Sequence, residues 1–185
     1  MSNSPLSIGI SACLLGHEVR YDGAHKLQGW LSDPAFTAVN WLPVCPEVEL
    51  GLGVPRPTID LWDPLASTGG RSEQADLRLS ANDDARDLTE AMRTLAESRI
   101  DELLDAGLCG YVFKARSPSC GLRGVKVFGR ADHQGPVERR GRGMFAAALL
   151  ARRPALPVAE EHELDVPGAC AAFVARAAEY RARSA

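Results

Sequence analysis

The greatest concentration of reactive side chains lies in residues 114–122, which read Lys-Ala-Arg-Ser-Pro-Ser-Cys-Gly-Leu. This stretch holds one thiol, two hydroxyls, two cations and a flexible glycine, which is unusual chemistry for a simple connection. A hydrophobic run at residues 108–113 precedes it and predicts a buried strand. Because ligands bind at the carboxyl ends of the strands in open α/β sheets, we expect this stretch to form part of a functional site.

Two further cysteines follow short apolar runs in the same way, and both runs are predicted strands. Cys13 ends the run at residues 5–12, and Cys45 ends the run at residues 41–44. With neighbouring strands separated by roughly 4.8 Å, residues just beyond their ends lie about 5 to 10 Å apart. Thiolates from Cys13, Cys45 and Cys120 could therefore meet at one metal centre.

The spacing of these cysteines is less informative than their positions, because it matches no Cys-x-x-Cys motif. Three protein thiolates also fall short of the four ligands that a structural zinc or an electron-transfer cluster usually has. A missing fourth ligand would leave an open position for substrate, although His17 or His25 in the first loop could complete the site instead. Cys109 and Cys170 are predicted to be small, buried core residues.

Acid–base groups are expected near the same thiols. Glu47 and Glu49 follow Cys45, and in an extended backbone their carboxylates would share one face. Either could act as a general base towards water, while Ser117 or Ser119 could donate or relay a proton. A salt bridge for the glutamates and turn capping for the serines are the structural alternatives, and the choice within each pair stays open.

The distribution of basic residues indicates a small anionic ligand. Residues 114–142 carry a net charge of +6 within a chain whose total is −3. A nucleic acid polymer would call for a broad basic face, whereas a solvated basic loop would give the same pattern as a small-anion site. Glycines and arginines ahead of a predicted helix N-terminus could bind phosphate. The candidate substrate-binding residues are Tyr21, Asp22, Lys114, Arg116, Gly141, Arg142 and Gly143.

These groups must be positioned by the predicted strands and helices, whose order indicates an α/β fold. We expect a single Rossmann-like domain with a mostly parallel sheet flanked by helices. The chain has 185 residues, 45% hydrophobic and 24% charged, which suits one domain over residues 1–185 with its core at 6–160. The strongest helix pattern covers residues 83–106, and a C-terminal helix is predicted at 166–183. Residues 60–80 are predicted to form an irregular excursion or a β-hairpin.

Cysteine usage and hydropathy bear on the cellular compartment. The chain has five cysteines, and its first residues lack the basic and apolar regions of a secretion signal. This combination favours metal binding or catalysis over a disulfide framework. No apolar run approaches the length that spans a membrane. We therefore expect a cytoplasmic protein without a membrane partner, and these patterns do not predict its oligomeric state.

Several stretches, taken together and in order, resemble the thiouracil desulfidase family. Residues 11–16 read Ser-Ala-Cys-Leu-Leu-Gly, and residues 19–23 read Val-Arg-Tyr-Asp-Gly. Residues 45–48 read Cys-Pro-Glu-Val, and residues 114–121 read Lys-Ala-Arg-Ser-Pro-Ser-Cys-Gly. The resemblance extends over about residues 8–158 and implies a small Rossmann-like protein that contains iron and sulfur.

The resemblance implies an oxygen-sensitive 4Fe-4S cluster on Cys13, Cys45 and Cys120, with one open iron that binds the sulfur of a thiolated pyrimidine. A glutamate would activate water, a serine would assist proton transfer, and sulfide would leave without net electron transfer. Thiouracil or 4-thiouridine monophosphate would give uracil or UMP, so the partner would be a small thiolated base or nucleotide. Residues 58–60 read Thr-Ile-Asp where a glutamate is expected, which is a departure from the family pattern.

Two other function classes fit the same residues. One is a cluster-dependent enzyme that acts on a different thiolated metabolite. The other is a nonenzymatic module that binds a cluster or zinc and senses redox state. An enzyme needs the acid–base groups beside the cysteines, whereas a sensor needs only the thiols.

Overall fold

The computed structural model describes residues 4–132 and 135–184. Residues 1–3, 133–134 and 185, which the predicted domain 1–185 includes, lie outside the described residues. The strands are β1 (Leu6–Ser11), β2 (Val39–Val44), β3 (Ile59–Trp62), β4 (Arg78–Ala81), β5 (Leu108–Phe113), β6 (Val125–Phe128), β7 (Val137–Gly141) and β8 (Val158–Glu160). The α-helices are α1 (Pro46–Glu49), α2 (Thr89–Asp105), α3 (Met144–Arg152) and α4 (Ala169–Ser184).

A parallel sheet in the order β2-β1-β5-β8 forms the centre of the fold. All residues of β5 are buried, as expected for a central strand whose sheet is covered by helices; α2 and α4 both contact it. Ser11 is opposite Val44 in the ladder, and Ile10 is opposite Val112, so the carboxyl ends of β1, β2 and β5 meet at one edge. The predicted α/β fold is confirmed.

A second four-stranded sheet, in the order β4-β3-β6-β7, is an addition to the predicted architecture. Strands β3 and β6 are parallel, while β4 and β7 pair antiparallel to them at the two edges. Residues 60–80 therefore contain most of an antiparallel strand pair, β3 and β4, which agrees with the predicted β-hairpin and not with an irregular excursion. The sheet has its own small core around Leu61, Leu79 and Val127, and it faces the edge at which the parallel strands end.

The two longest helices begin later than the sequence predicts. Before α2, Ala85 has a left-handed φ of 55°, and the Asp87 carboxylate accepts a hydrogen bond from the Thr89 amide at 2.8 Å. The acidic residues at 83–87 therefore precede the helix and do not form its first turn. In the same way, Gly168 with φ 79° precedes α4. None of the helices within the described ranges is both long and apolar enough to cross a membrane.

Candidate active site

A cavity of about 510 Å³ opens at the carboxyl edge of the parallel sheet. Its wall combines the loops after β1, β2 and β5 with residues of the second sheet. The lining side chains most relevant to chemistry are Cys13, Tyr21, Cys45, Glu47, Arg56, Lys114, Arg116, Ser117, Ser119, Cys120, Lys126 and Arg139. The three cysteines that are distant in sequence thus line one cavity.

Each of these cysteines is held by a different loop. Cys13 lies in a 3-10 turn, Ala12–Leu15, directly after β1, and Cys45 is the residue that precedes α1. Cys120 ends a tight turn in which the Gly121 amide donates to the Ser117 carbonyl at 2.8 Å. A Cβ at Gly121 would lie 2.9 Å from that carbonyl oxygen, so this turn requires glycine.

All three thiols are free, and none of them is in a disulfide. Burial and the neighbouring Cys45 thiol raise the pKa of Cys13 to about 11. Burial also raises the pKa values of Cys45 and Cys120. A positively charged group that binds thiolates would offset this penalty, so the donor set fits a thiolate-ligated metal centre.

No site for a single metal ion forms among the described residues. In residues 4–132 and 135–184, no three His, Cys, Asp or Glu are grouped closely enough to hold one metal ion. His17 and His25 do not line the cavity, and His25 Nδ1 accepts a hydrogen bond from the Leu27 amide. Neither histidine is therefore a candidate fourth ligand for the three cysteines.

A chain of hydrogen bonds connects both candidate serines to Glu47. The Ser119 hydroxyl donates to Glu47 Oε1 at 2.7 Å, and the hydroxyls of Ser117 and Ser119 are 2.9 Å apart. Because Ser119 already donates to Glu47, Ser117 donates to Ser119, while its own oxygen accepts from the Cys120 amide at 3.1 Å. Both hydroxyls therefore point towards the carboxylate, which allows a proton to pass between the cavity and Glu47.

Arg56 holds the Glu47 carboxylate from the other side, and the sequence prediction does not include it. Its Nε and Nη2 atoms donate to Glu47 Oε2 at 3.0 and 2.8 Å, and its side chain is only 3% exposed. Further donation to the carbonyls of Val19 and Gly53 fixes the guanidinium. This ion pair fixes the orientation of the Glu47 carboxylate. An arginine between two prolines, shortly after the Cys-Pro-Glu stretch, is the signal that could have identified it.

Glu49 lies outside the cavity lining, contrary to the expectation that both glutamates share one face. The backbone at Pro46–Glu49 is a helical turn and not extended, and proline suits the first position of a helix. Glu49 accepts a hydrogen bond from the Cys45 amide at 3.1 Å and pairs with Arg99 of α2 at 3.3 Å. The two glutamates therefore differ in position. Glu47 lines the cavity, whereas Glu49 lies outside the lining and accepts a hydrogen bond from the Cys45 backbone.

Three exposed cations line the cavity without a hydrogen bond or ion pair to any described residue: Arg116, Lys126 and Arg139. Lys126 of β6 is directly opposite Arg139 of β7 in the ladder, where like charges repel. Arg116 has a φ of 62°, which is uncommon for a residue other than glycine. Lys114, by contrast, pairs with Glu161 at 2.5 Å. The sequence prediction includes Arg116 but not Lys126 or Arg139.

The predicted phosphate-binding residues that lie outside the cavity lining are Gly141, Arg142 and Gly143. The amides at the start of α3, on which the predicted anion site depends, already have hydrogen-bond acceptors in the protein. The amides of Met144 and Phe145 donate to the carbonyls of Pro118 and Ser119, both at 3.0 Å. Glycine at position 143 allows this close approach, since a Cβ there would clash with the Ser119 backbone. This segment therefore supports the turn that carries Cys120.

Of the two candidates in the first loop, only Tyr21 lines the cavity. Its carbonyl accepts a hydrogen bond from the Arg56 amide at 2.9 Å, which connects the first loop to the segment after α1. Its ring is partly exposed and lies 5.3 Å from the Arg20 guanidinium. Asp22 forms an ion pair with Arg20 at 3.2 Å instead of facing the cavity. Tyr21 thus offers an aromatic surface to a planar ligand.

The departure from the family pattern at residues 58–60 also falls on the cavity wall. Thr58, Ile59 and Asp60 all line the cavity. The Asn82 side chain donates to the Thr58 hydroxyl and to an Asp60 carboxylate oxygen, both at 2.8 Å. A carboxylate is therefore present at this wall, on Asp60 and not on a glutamate.

Comparison with known proteins shows the family to which the chain belongs. The family model described as 2-thiouracil desulfurase matches residues 8–161. The chain belongs to the 2-thiouracil desulfurase family. The chain is also similar to a solved structure described as the 4Fe-4S-dependent thiouracil desulfidase TudS. The two chains are 30% identical with a TM-score of 0.60, and the match covers 86% of this chain and 93% of that chain.

No match was found among the curated proteins. Membership of the 2-thiouracil desulfurase family confirms the resemblance stated from the motifs, and it confirms the enzyme class, thiouracil desulfidase. The comparisons therefore favour an enzyme over a sensor without catalytic activity.

Proposed function

We propose that the protein removes sulfur from thiolated pyrimidines by a hydrolytic reaction in which three cysteines hold a 4Fe-4S cluster. Water oxygen forms a bond to the ring carbon, and the bond between this carbon and sulfur breaks. One water is consumed and one hydrogen sulfide is released, so no oxidant or reductant is needed. The observation that carries the proposal is the hydrogen-bonded set of Glu47, Ser119 and Arg56 in the same cavity as the cysteines.

The proposed ligands of the cluster are Cys13, Cys45 and Cys120. Support comes from their shared cavity, from the burial that disfavours their thiolate forms unless a cation binds them, and from the 4Fe-4S dependence of the similar structure. Four irons and three protein thiolates would leave one iron without a protein ligand. When bound, such a cluster supplies a Lewis-acidic iron that accepts the sulfur of the substrate.

Glu47 is the proposed general base. Arg56 occupies Oε2 with two hydrogen bonds, so Oε1, which accepts from Ser119, is the oxygen left to take a proton from water. Ser119 and Ser117 are the proposed relay that passes a proton back to the departing sulfide or to the ring. Tyr21 is the proposed aromatic wall against which the pyrimidine lies.

The three unpaired cations are the proposed site for the phosphate of a thiolated nucleoside monophosphate. Lys126 and Arg139 are held opposite one another although their charges repel, and a bound phosphate would turn this repulsion into attraction. Arg116 approaches the same cavity from the loop after β5. A thiolated nucleotide such as 4-thiouridine monophosphate should therefore be a better substrate than the free base.

Oxygen-free purification tests the cofactor directly. We expect a brown protein with about four irons and a matching amount of acid-labile sulfide per chain, as for any 4Fe-4S protein. This protein should release sulfide from 2-thiouracil, 4-thiouracil and 4-thiouridine monophosphate. A colourless protein with one zinc and no sulfide release would contradict the proposal.

Two matched substitutions then test the proposed base. Glu47→Gln should keep the iron and lower kcat by about a hundredfold or more, because general-base catalysis typically contributes that much. Glu49→Gln is the control, since its amide oxygen can still accept from Cys45 and it lies outside the cavity lining. Equal losses in the two variants, with equal iron contents, would remove Glu47 from the proposed role.

A further inference from the structure

Two consecutive carboxylates lie beside the segment of residues 114–123, which carries both serines and Cys120. Glu160 is the last residue of β8, and Glu161 begins a 3-10 turn, Glu161–Asp165. Because β8 is the parallel neighbour of β5, with Glu160 opposite Phe113, both carboxylates lie where the segment leaves its strand. Neither glutamate belongs to the base and relay proposed above, so their burial calls for a separate explanation.

Glu161 holds the first end of the segment. Its Oε1 accepts from Lys114 Nζ, and its Oε2 accepts from the Ala115 amide, both at 2.5 Å. Its side chain is only 13% exposed. Hydrogen bonds of this charge-assisted kind are stronger than neutral ones and fix the backbone just before Arg116 and Ser117.

Glu160 holds the other end. One of its carboxylate oxygens accepts from the Leu122 amide at 2.8 Å and from the Arg123 amide at 3.4 Å, directly after the turn that carries Cys120. The residue is 3% exposed, and it forms a capping box with Glu163. The Glu160 side chain accepts a hydrogen bond from the Glu163 amide, and the Glu160 amide donates to the Glu163 carboxylate at 2.7 Å. A buried carboxylate held in this way is a rigid support for the amides that it accepts from.

We infer that Glu160 and Glu161 are positioning residues of the desulfuration site, which hold the two ends of residues 114–123 in register with Glu47. Glu160 keeps Cys120 in place, and Glu161 keeps the serine relay in place. The part of this inference that concerns turnover rests on the proposed function. The part that concerns Cys120 can be tested on metal-free protein without any turnover.

The first experiment measures how fast iodoacetamide alkylates each cysteine of the metal-free protein, with mass spectrometry to assign the sites. Glu160→Ala should raise the alkylation rate of Cys120 by about tenfold, because losing a charge-assisted hydrogen bond favours local opening to that extent. The buried Cys109 and Cys170 lie away from the cavity and report global unfolding, so their rates should not change. Glu160→Gln should raise the rate less than Glu160→Ala, since its amide oxygen can still accept from Leu122.

The second experiment measures kcat and KM of the cluster-loaded enzyme. Glu161→Ala should keep its iron but lose about tenfold or more in kcat, since small displacements of catalytic groups have effects of that size. Glu161→Gln should recover much of this loss, because its amide oxygen can accept from Ala115. Glu179→Ala on the exposed surface of α4 is the control and should match the wild type in both experiments.

The outcomes separate the inference from the proposed function. An unchanged Cys120 rate in Glu160→Ala, or an equal rise for Cys109, Cys120 and Cys170, would overturn the positioning role of Glu160. An unchanged kcat in Glu161→Ala, or loss of iron in that variant, would overturn the role of Glu161. A wild-type enzyme that releases no sulfide contradicts the proposed function alone, and the alkylation result stands in that case.

Discussion

The two walls of the cavity are built in opposite ways. On the wall formed by the parallel sheet, Ser119 and Cys120 are buried, and Glu47 is held by both Ser119 and Arg56. On the wall formed by the second sheet, Lys126 and Arg139 are exposed, and they have no partner in the described parts of the chain. The first wall is preorganised, whereas the second carries charges that a ligand can neutralise. We infer that the first wall performs the chemistry and that the second selects the substrate.

Removal of a ligand from the preorganised wall should have the largest effect. Cys45→Ala should abolish both iron binding and sulfide release, because a cluster with only two protein thiolates is not retained. The measurement is iron content and turnover after oxygen-free reconstitution. Cys170→Ala is the matched control, since this thiol is buried against the Leu164 carbonyl away from the cavity. Full iron content in Cys45→Ala would show that the ligand set is different.

Removal of the relay on the same wall should have the next largest effect. Ser119→Ala breaks the contacts with both Glu47 and Ser117, so kcat should fall by about a hundredfold, within the range of acid–base contributions. Ser117→Ala leaves the contact between Ser119 and Glu47 in place and should cost less. Iron content should be normal in both variants. The reverse order of the two losses would mean that Ser117, and not Ser119, contacts the reacting groups.

Changes to the cationic wall should affect substrate binding and not the chemical step. Lys126→Ala and Arg139→Ala should each raise KM for 4-thiouridine monophosphate by about tenfold, the effect of one hydrogen bond to a charged group. Neither should change kcat, and KM for free 4-thiouracil should stay the same. Arg142→Ala compares this site with the one predicted from sequence and should leave both KM values unchanged. Equal effects on base and nucleotide would remove the phosphate site.

Substitution of Asp63, a buried carboxylate of the second sheet, should have the smallest effect on activity. Asp63 is buried, accepts hydrogen bonds from the amide and hydroxyl of Ser72, and pairs with Arg140. Burial alone would raise its pKa, but the hydrogen bonds from Ser72 and Leu65 and the charge of Arg140 outweigh this and lower the pKa. Other charged groups of the second sheet are therefore well held, and the exposure without a partner among the described residues is confined to the side chains of Lys126 and Arg139 and does not extend to Asp63 and Arg140.

The stabilising contribution of the Asp63 carboxylate should decrease in acid. Because the pKa of Asp63 is lower in the folded state, its stabilising contribution is present above roughly pH 4, the ordinary range of aspartate, and is lost as the pH falls through the folded value. Asp63→Asn should lower the urea midpoint at neutral pH, and the difference from the wild type should shrink in acid. Urea unfolding at several pH values measures this, and kcat should not change. A difference that grows in acid would contradict the assignment.

Much of the preorganised wall could be predicted from the sequence because it depends on short-range patterns. Apolar runs mark the ends of β1, β2 and β5, and Cys13 and Cys45 follow the first two of these directly. The turn of residues 117–121 follows the third. The different directions of Glu47 and Glu49 could not be predicted from alternation, because a helical turn of four residues has no periodicity to detect.

The cationic wall could not be predicted because it depends on pairing between distant segments. Lys126 and Arg139 come together only when β6 and β7 pair; both strands are short, and β7 is mostly polar. The error at Arg142 has the same origin. The amides at the start of α3 looked free in the sequence, and only the folded chain shows that residues 118 and 119 accept from them.

The turn that presents Cys120 is at the same time the N-terminal cap of α3. Carbonyls of Pro118, Ser119 and Gly121 accept from the amides of residues 143–146, where other helices use a side chain or water. An insertion or deletion in this turn would therefore leave several amides unpaired in the protein interior, even if every ligand and catalytic group were retained. The length of this loop is set by the stability of a helix as much as by the reaction.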